Sequence, residues 1–245
     1  MKVKKKITSV ILLSVAMAAS VFAQAIPKEE KQARKAGVST KAKQAETTPQ
    51  QALQALKDGN ARFVAGRILT QKDYRRQGAI TAQGQFPHYA ILSCLDSRVS
   101  VDDIFELNNG DAFSARVAGN VVNEDILGSF EFATAVSGAD VIVVLGHSNC
   151  GAVKGACDGV QLGNLTGLLE KINPAVDTIG KDWMRGEKTS KNHDFVEAVG
   201  EENVRLQMRR IQEKSPTIKG LLDSGKVILV GAVYNLETGH VTFLR

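Results

Sequence analysis

The chain has 245 residues, with 31 basic against 26 acidic side chains and a formal charge of +5. Four of those basic residues, Lys2, Lys4, Lys5 and Lys6, stand in the first 25 positions, which hold no acid, so the rest of the chain carries 27 against 26, a net +1. A body this close to neutral gives no reason to expect nucleic acid or an anionic membrane as a partner.

Residues 1–25 run from the lysine stub through an uncharged stretch, Ile7 to Val21, to small residues at Ala23 and Ala25. That is the pattern of a secretory signal peptide. Its 15-residue apolar part is shorter than the roughly 20 residues of a spanning helix. Removal of the signal is therefore expected to leave a periplasmic or secreted protein with no stable membrane insertion. Residues 26–48 are Lys, Gln, Glu, Ala and Thr with almost nothing large and apolar, and read as a flexible polar linker. The 197 residues from Pro49 to Arg245 suffice for one domain with a sizeable core, and no internal repeat divides them.

Within that domain Thr48 reads as an N-cap before Pro49, and Leu53, Leu56, Phe63 and Val64 fall on one face of the helix that follows. Tyr89 to Ser93 and Asp140 to Leu145 are short apolar runs with the look of buried parallel strands. Between them the pattern predicts a strand over Ala112 to Val117. A helix follows over Glu124 to Val136, capped by Asn123 and burying Ile126, Leu127, Phe130 and Ala133. Helical patterns recur over Leu165 to Ile179 and Phe195 to Gln212. A strand pair, Lys226 to Tyr234 and His240 to Leu244, closes the chain with its second arm at an edge. The fold class is α/β: a central, mostly parallel β-sheet flanked by helices, with an antiparallel edge strand and an N-terminal helical arm.

In such a sheet, ligands bind beyond the carboxyl ends of the strands. Cys94-Leu95-Asp96-Ser97-Arg98 and His147-Ser148-Asn149-Cys150-Gly151 both stand at strand ends, so two thiols and an imidazole can meet there. Cys94, His147 and Cys150 match the three protein ligands of a catalytic Zn2+ site that leaves a fourth position for water. Cys150 opens a helical run, where the helix dipole favours the thiolate that a metal needs. Two thiolates and a neutral imidazole make the centre formally neutral, and a water on it becomes a nucleophile near neutral pH. Asp96 and Arg98, two apart, point the same way in an extended stretch and can pair. Held by Arg98, Asp96 can orient that water; released, it becomes a fourth ligand and closes the site.

These residues resemble those of the β-class carbonic anhydrases, which interconvert carbon dioxide and bicarbonate at a Cys2His zinc. The likeness spans Pro49 to Arg245 and includes Gly59-Asn60-Ala61-Arg62-Phe63, Arg116-Val117-Ala118-Gly119-Asn120, Val143-Val144-Leu145-Gly146-His147 and Gly231-Ala232-Val233-Tyr234. It implies that Cys94, His147 and Cys150 ligate Zn2+, and that Asp96 with Arg98 is the catalytic dyad. It also implies that Gly151 lines the substrate pocket, that Gln85 hydrogen-bonds substrate, and that the protein is a homodimer or dimer of dimers. Bicarbonate-inhibited members place a tryptophan three residues before the first cysteine ligand, in a set with an arginine and a tyrosine. Here that place is Ile91, with Arg116 and Tyr234 at the other two, so the resemblance favours the non-allosteric, open-site subtype. Hydrolysis of carbonyl sulfide or carbon disulfide uses the same ligands and stays open as an alternative activity. A non-catalytic zinc or bicarbonate binding module would be expected to lack Asp96 or Arg98.

Other residues have blander expectations. A Cys94–Cys150 disulfide would leave Asp96, Arg98 and His147 without a shared purpose, and Cys157 makes the cysteine count odd. Cys157 reads as a buried small residue, and His88, His193 and His240 as surface histidines. The Arg205, Arg209, Arg210 group reads as a solvated helix face, and Gly119 with Asn120 as backbone geometry.

Overall fold

A computed structural model describes residues 27–67 and 73–244; the signal-peptide reading of residues 1–25 lies outside the described residues. In chain order the elements are helices α1 (Lys28–Lys35), α2 (Lys41–Glu46), α3 (Pro49–Val64) and α4 (Tyr74–Thr81), strand β1 (Tyr89–Ser93), helix α5 (Val101–Ile104), strand β2 (Ala112–Arg116) and helix α6 (Glu124–Glu131), which continues as a π-helical turn (Phe132–Val136). Strand β3 (Val141–His147) follows, then helices α7 (Gly151–Cys157), α8 (Gly163–Leu169), α9 (Asn173–Lys181), α10 (His193–Lys214) and α11 (Pro216–Asp223), and strands β4 (Ile228–Tyr234) and β5 (Val241–Phe243).

The sheet order is β2-β1-β3-β4-β5, parallel throughout except for β5, which runs antiparallel along β4 at the edge. Every residue of β1 and β3 is buried, as central strands covered on both faces require. Alternation divides their side chains between two cores. Tyr89, Ile91, Val141, Val143 and Leu145 pack with Ala52 and Leu56 of α3 and with Val101 and Ile104 of α5. Ala90, Leu92, Ile142 and Val144 pack with Phe130 of α6, Val204 and Ile211 of α10 and Ile218 of α11. A third cluster, from Val153 of α7 to Phe195 and Val199 of α10, lies behind Cys94 and Cys150 and backs the site.

Several local expectations meet a different outcome. Thr48 does cap α3, in a capping box with Gln51, but the buried face is Ala52, Leu56, Gly59 and Asn60, while Val64 stays exposed. Polar Asn60 belongs to that face because its amide satisfies three backbone groups, the Ile104 and Gly239 carbonyls and the Val241 amide. The helix expected to run to Val136 changes to π geometry after Glu131, where Thr134 Oγ1 donates to the Phe130 carbonyl and competes with the helical ladder. The helical run Leu165 to Ile179 is two helices, because Pro174 lacks the amide needed to continue a helix and instead opens α9.

The segment read as a flexible linker is corrected most. It forms α1 and α2 and docks on the amino end of the sheet. Gln44 Nε2 donates to the Pro87 carbonyl at 2.6 Å and the Ser137 carbonyl at 3.0 Å, and Ala33, Val38, Ser39 and Thr40 are buried. Small apolar and amide groups hold it, and counting large apolar residues overlooks both. Among the described residues no helix is long and apolar enough to cross a membrane.

Candidate metal centre

Ser93 pairs with Leu145, so Cys94 and His147 leave adjacent strands at the same end of the sheet. The turn Ser148-Asn149 then brings Cys150 back as the residue preceding α7. Ser148 is held on both sides: its amide donates to the Tyr234 carbonyl and its hydroxyl accepts from the Leu236 amide. Asn149 takes a left-handed conformation (φ +56°), with its amide donating to Glu197 Oε1 at 2.8 Å and Lys154 Nζ donating to its Oδ1 at 2.9 Å. The spacing of His147 and Cys150 is thus enforced from β4 and from α10.

The two sulfurs lie 4.0 Å apart, and they and a His147 ring nitrogen all fall within 4.8 Å of one another. Zinc–sulfur bonds of about 2.3 Å at tetrahedral angles place two sulfurs roughly 3.8 Å apart, so the donor set fits that ion. A disulfide needs about 2.05 Å, and both cysteines are free thiols. His147 Nδ1 is 2.9 Å from the Ser148 carbonyl and donates to it, which leaves Nε2 as the lone-pair nitrogen. That Nε2 is buried and has no hydrogen-bond partner, as a nitrogen reserved for a metal would be.

Electrostatics point the same way. A hydrogen bond from the Cys150 thiol, with help from the nearby His147 ring and the Asp96 and Gly119 backbone, pulls the Cys94 thiol well below its ordinary value, while the same shared proton and burial push Cys150 up. A divalent cation ligated by both sulfurs displaces that proton. Asp96 stands beside the cluster with Oδ2 3.9 Å from His147 Nε2. Arg98 engages it three times: backbone N to Oδ1 at 3.0 Å, Nε to Oδ1 at 2.9 Å and Nη2 to Oδ2 at 2.7 Å. Those hydrogen bonds hold the carboxyl well below the usual carboxylate range. Among the described residues the metal-competent cluster is Cys94, His147 and Cys150, without Asp96.

Two contributions went unread in the sequence. Arg116 Nε donates to the Cys94 carbonyl at 3.1 Å and its Nη2 to the Asp96 carbonyl at 2.6 Å, so it braces the loop bearing ligand and carboxylate. The Gly119 amide donates to Cys94 Sγ at 3.4 Å, which makes the Gly119-Asn120 turn more than backbone geometry. The run Arg116-Val117-Ala118-Gly119-Asn120, shared with the β-class carbonic anhydrases, signalled that both residues matter but not what either touches.

Other expectations fare unevenly. Gly151 opens α7 beside Cys150 with open space where a Cβ would stand. Gln85 is exposed and four residues before β1, whereas Cys94 follows the strand's other end, so about 17 Å of strand separates them within one chain. His88 is not a surface residue: it is 5 % exposed, with Nε2 3.4 Å from Ser39 Oγ and Nδ1 3.7 Å from Asp140 Oδ1, at the sheet end opposite the thiols. It is buried because β1 and β3 start in register there and the docked α1–α2 segment covers them. His193 and His240 are exposed and Cys157 is half-buried. Of the arginines on α10, Arg205 and Arg209 pair with Glu201 and Glu202, while Arg210 donates to the Lys171 carbonyl.

A Cys-His-Cys donor set that neutralises a divalent cation, with a restrained carboxylate beside it, is the equipment of an enzyme that activates water. The sequence matches the family described as carbonic anhydrase over residues 89–241. It is similar to carbonic anhydrase 2 of Mycobacterium tuberculosis, 37 % identical over 199 residues that cover 79 % of this chain and 92 % of that one. Among solved structures it resembles the β-carbonic anhydrase CcaA, with a TM-score of 0.64 and 27 % identity over 78 % of this chain and 86 % of that one. It also resembles tetrameric β-carbonic anhydrases of Sordaria macrospora, with a TM-score of 0.60 and 25 % identity over 66 % and 83 % of the respective chains. The chain belongs to the carbonic anhydrase family, in its β class, and is a carbonic anhydrase enzyme.

Proposed function

We propose that this protein hydrates carbon dioxide reversibly at a zinc ion held by Cys94, His147 and Cys150. The observation that carries the reading is the unpartnered His147 Nε2 turned toward two buried thiols, with Asp96 immobilised 3.9 Å away. Bound zinc supplies the Lewis acidity that makes a water nucleophilic near neutral pH. Asp96, held ionised by Arg98, would accept a hydrogen bond from a water at that site and so orient it toward the substrate carbon. Arg98 holds Asp96 by two side-chain hydrogen bonds, which would keep the carboxylate in this orienting role and leave a place for water beside Cys94, His147 and Cys150. Ile91 is buried and has no polar group for an inhibitory anion, and Arg116 is occupied at two carbonyls. Both support the non-allosteric subtype. Gly151 leaves room beside Cys150 for substrate.

Gln85 serves substrate only when a second copy contributes it, so its role goes with a homodimer or a dimer of dimers. The signal-like pattern of residues 1–25 supports a periplasmic or secreted location for the activity. Zinc content measured alongside carbon dioxide hydration from pH 6 to 9, on protein lacking residues 1–25, tests the reading. Asp96→Ala should retain zinc and lose about a hundredfold or more in turnover. Cys150→Ala should lose the metal. Unchanged hydration in both variants would sink the mechanism.

A further inference from the structure

Helix α10 carries two fully buried amides, Asn203 and Gln207, that the chemistry above does not use. A buried amide is costly unless its hydrogen bonds are made; Gln207 Oε1 accepts from Arg210 Nη1 at 3.3 Å, and the remaining bonds form one directed line. The Val122 amide donates to Gln207 Oε1 at 2.9 Å, Gln207 Nε2 to Asn203 Oδ1 at 2.8 Å, and Asn203 Nδ2 to the Gly119 carbonyl at 2.8 Å. The line ends on the turn whose amide touches a metal-site sulfur, Gly119 N to Cys94 Sγ at 3.4 Å.

That turn is closed by the Asn120 amide donating to the Val117 carbonyl at 2.9 Å, and it is tied to α10 from outside. Gly119 and Asn120 are both left-handed, with φ of +64° and +44°, a conformation that glycine and asparagine tolerate but do not enforce. At Gly119 a Cβ would stand 2.6 Å from Ile172 Cδ1, so only a bare backbone fits and its amide is what faces the sulfur. Asn203 adds a restraint from outside the turn, and Gln207 fixes which way the Asn203 amide points.

We propose that Asn203, oriented by Gln207, is a positioning residue for the metal centre: it locks the 118–120 turn so that the Gly119 amide hydrogen-bonds the Cys94 thiolate. A sulfur that shares its charge with an N–H donates less of it to a metal, which leaves the metal more acidic. The inference rests on the reading of Cys94, His147 and Cys150 as metal ligands, and adds to it a tuning element on a helix that holds no ligand.

The test uses the whole protein loaded with spectroscopic metals. In the cadmium-113 form, nuclear magnetic resonance should show a coupling between the metal and the Gly119 amide proton, transmitted through the hydrogen bond. In the cobalt(II) forms of Asn203→Ala and Gln207→Met, the sulfur-to-cobalt charge-transfer band should move to longer wavelength. A chelator should strip their metal about tenfold faster, and the midpoint of their pH–activity profiles should rise. A protein that takes up one metal ion but shows no Gly119 coupling overturns the proposal. So do folded variants whose band and pH midpoint match the parent. Failure of the parent to bind cobalt or cadmium overturns the metal reading itself, a different result from either. Should both variants fail to fold, the coupling in the parent still decides.

Discussion

Helix α10 meets the sheet where two strands carry no side chain, and that contact sets the position of His147. A Cβ on Gly146 of β3 would stand 2.7 Å from Val204 Cγ2, and one on Gly231 of β4 2.8 Å from Val204 Cγ1. Carbon atoms in contact prefer about 3.5–4.0 Å, so Gly146→Ala must displace Val204 or the end of β3 by about 1 Å. Val204 is 0 % exposed and has nowhere to move. Overpacking of this kind costs about 1–3 kcal/mol, and a domain of this size loses about 2–4 °C of Tm per kcal/mol. The expected fall is therefore about 2–12 °C, with faster loss of metal to a chelator, because His147 is the next residue. Val204→Ala alone should cost about 1–3 kcal/mol by opening a cavity. In the double variant the new methyl occupies that cavity, so the combined cost should undershoot the sum by about 1 kcal/mol. Thermal melts followed by circular dichroism give all four corners of the cycle. A Gly146→Ala melt within 1 °C of the parent, or strict additivity in the double variant, would refute the steric argument.

Asn60→Ala removes an amide that satisfies the Ile104 and Gly239 carbonyls and the Val241 amide, and should lower unfolding free energy by about 3 kcal/mol or more in urea titration. A loss below about 1 kcal/mol would mean that water replaces those bonds. Burial, with the nearby Asp158 charge, pushes the Cys157 thiol up to about 11. Its alkylation by iodoacetamide at pH 8 should be about a hundredfold slower than in the unfolded chain and climb about tenfold per pH unit below that value. Mass-spectrometric labelling at the unfolded-chain rate would contradict this. Gln44→Ala should release the α1–α2 segment, seen as faster hydrogen exchange across residues 28–46 with carbon dioxide hydration unchanged. Exchange equal to the parent would show that the Pro87 and Ser137 contacts do not anchor it.

Much of the site was legible because its parts are local. Tyr89 to Ser93 and Asp140 to Leu145 announce themselves as β-branched or apolar runs, and in a parallel sheet the ends of such runs converge, so Cys94 and His147 had to meet. The two-residue spacing of Asp96 and Arg98 and the three-residue spacing of His147 and Cys150 likewise need only the geometry of a strand end and a turn. Tertiary packing alone decided which partners surround them. Asn203 reaches the Gly119 carbonyl across 84 residues because Val204 seats α10 on Gly146 and Gly231, and no periodicity encodes that crossing. His88 read as a surface histidine until the register of β1 and β3 set it beside Asp140, and Gln85, given a substrate role by the resemblance, is separated from Cys94 by the length of β1. The α1–α2 segment lacked large apolar residues, yet two carbonyls exposed at the sheet end accept the amide of Gln44. Hydrophobic period and strand-end chemistry are written along the chain, whereas a hydrogen bond between distant residues exists only once the helices have docked.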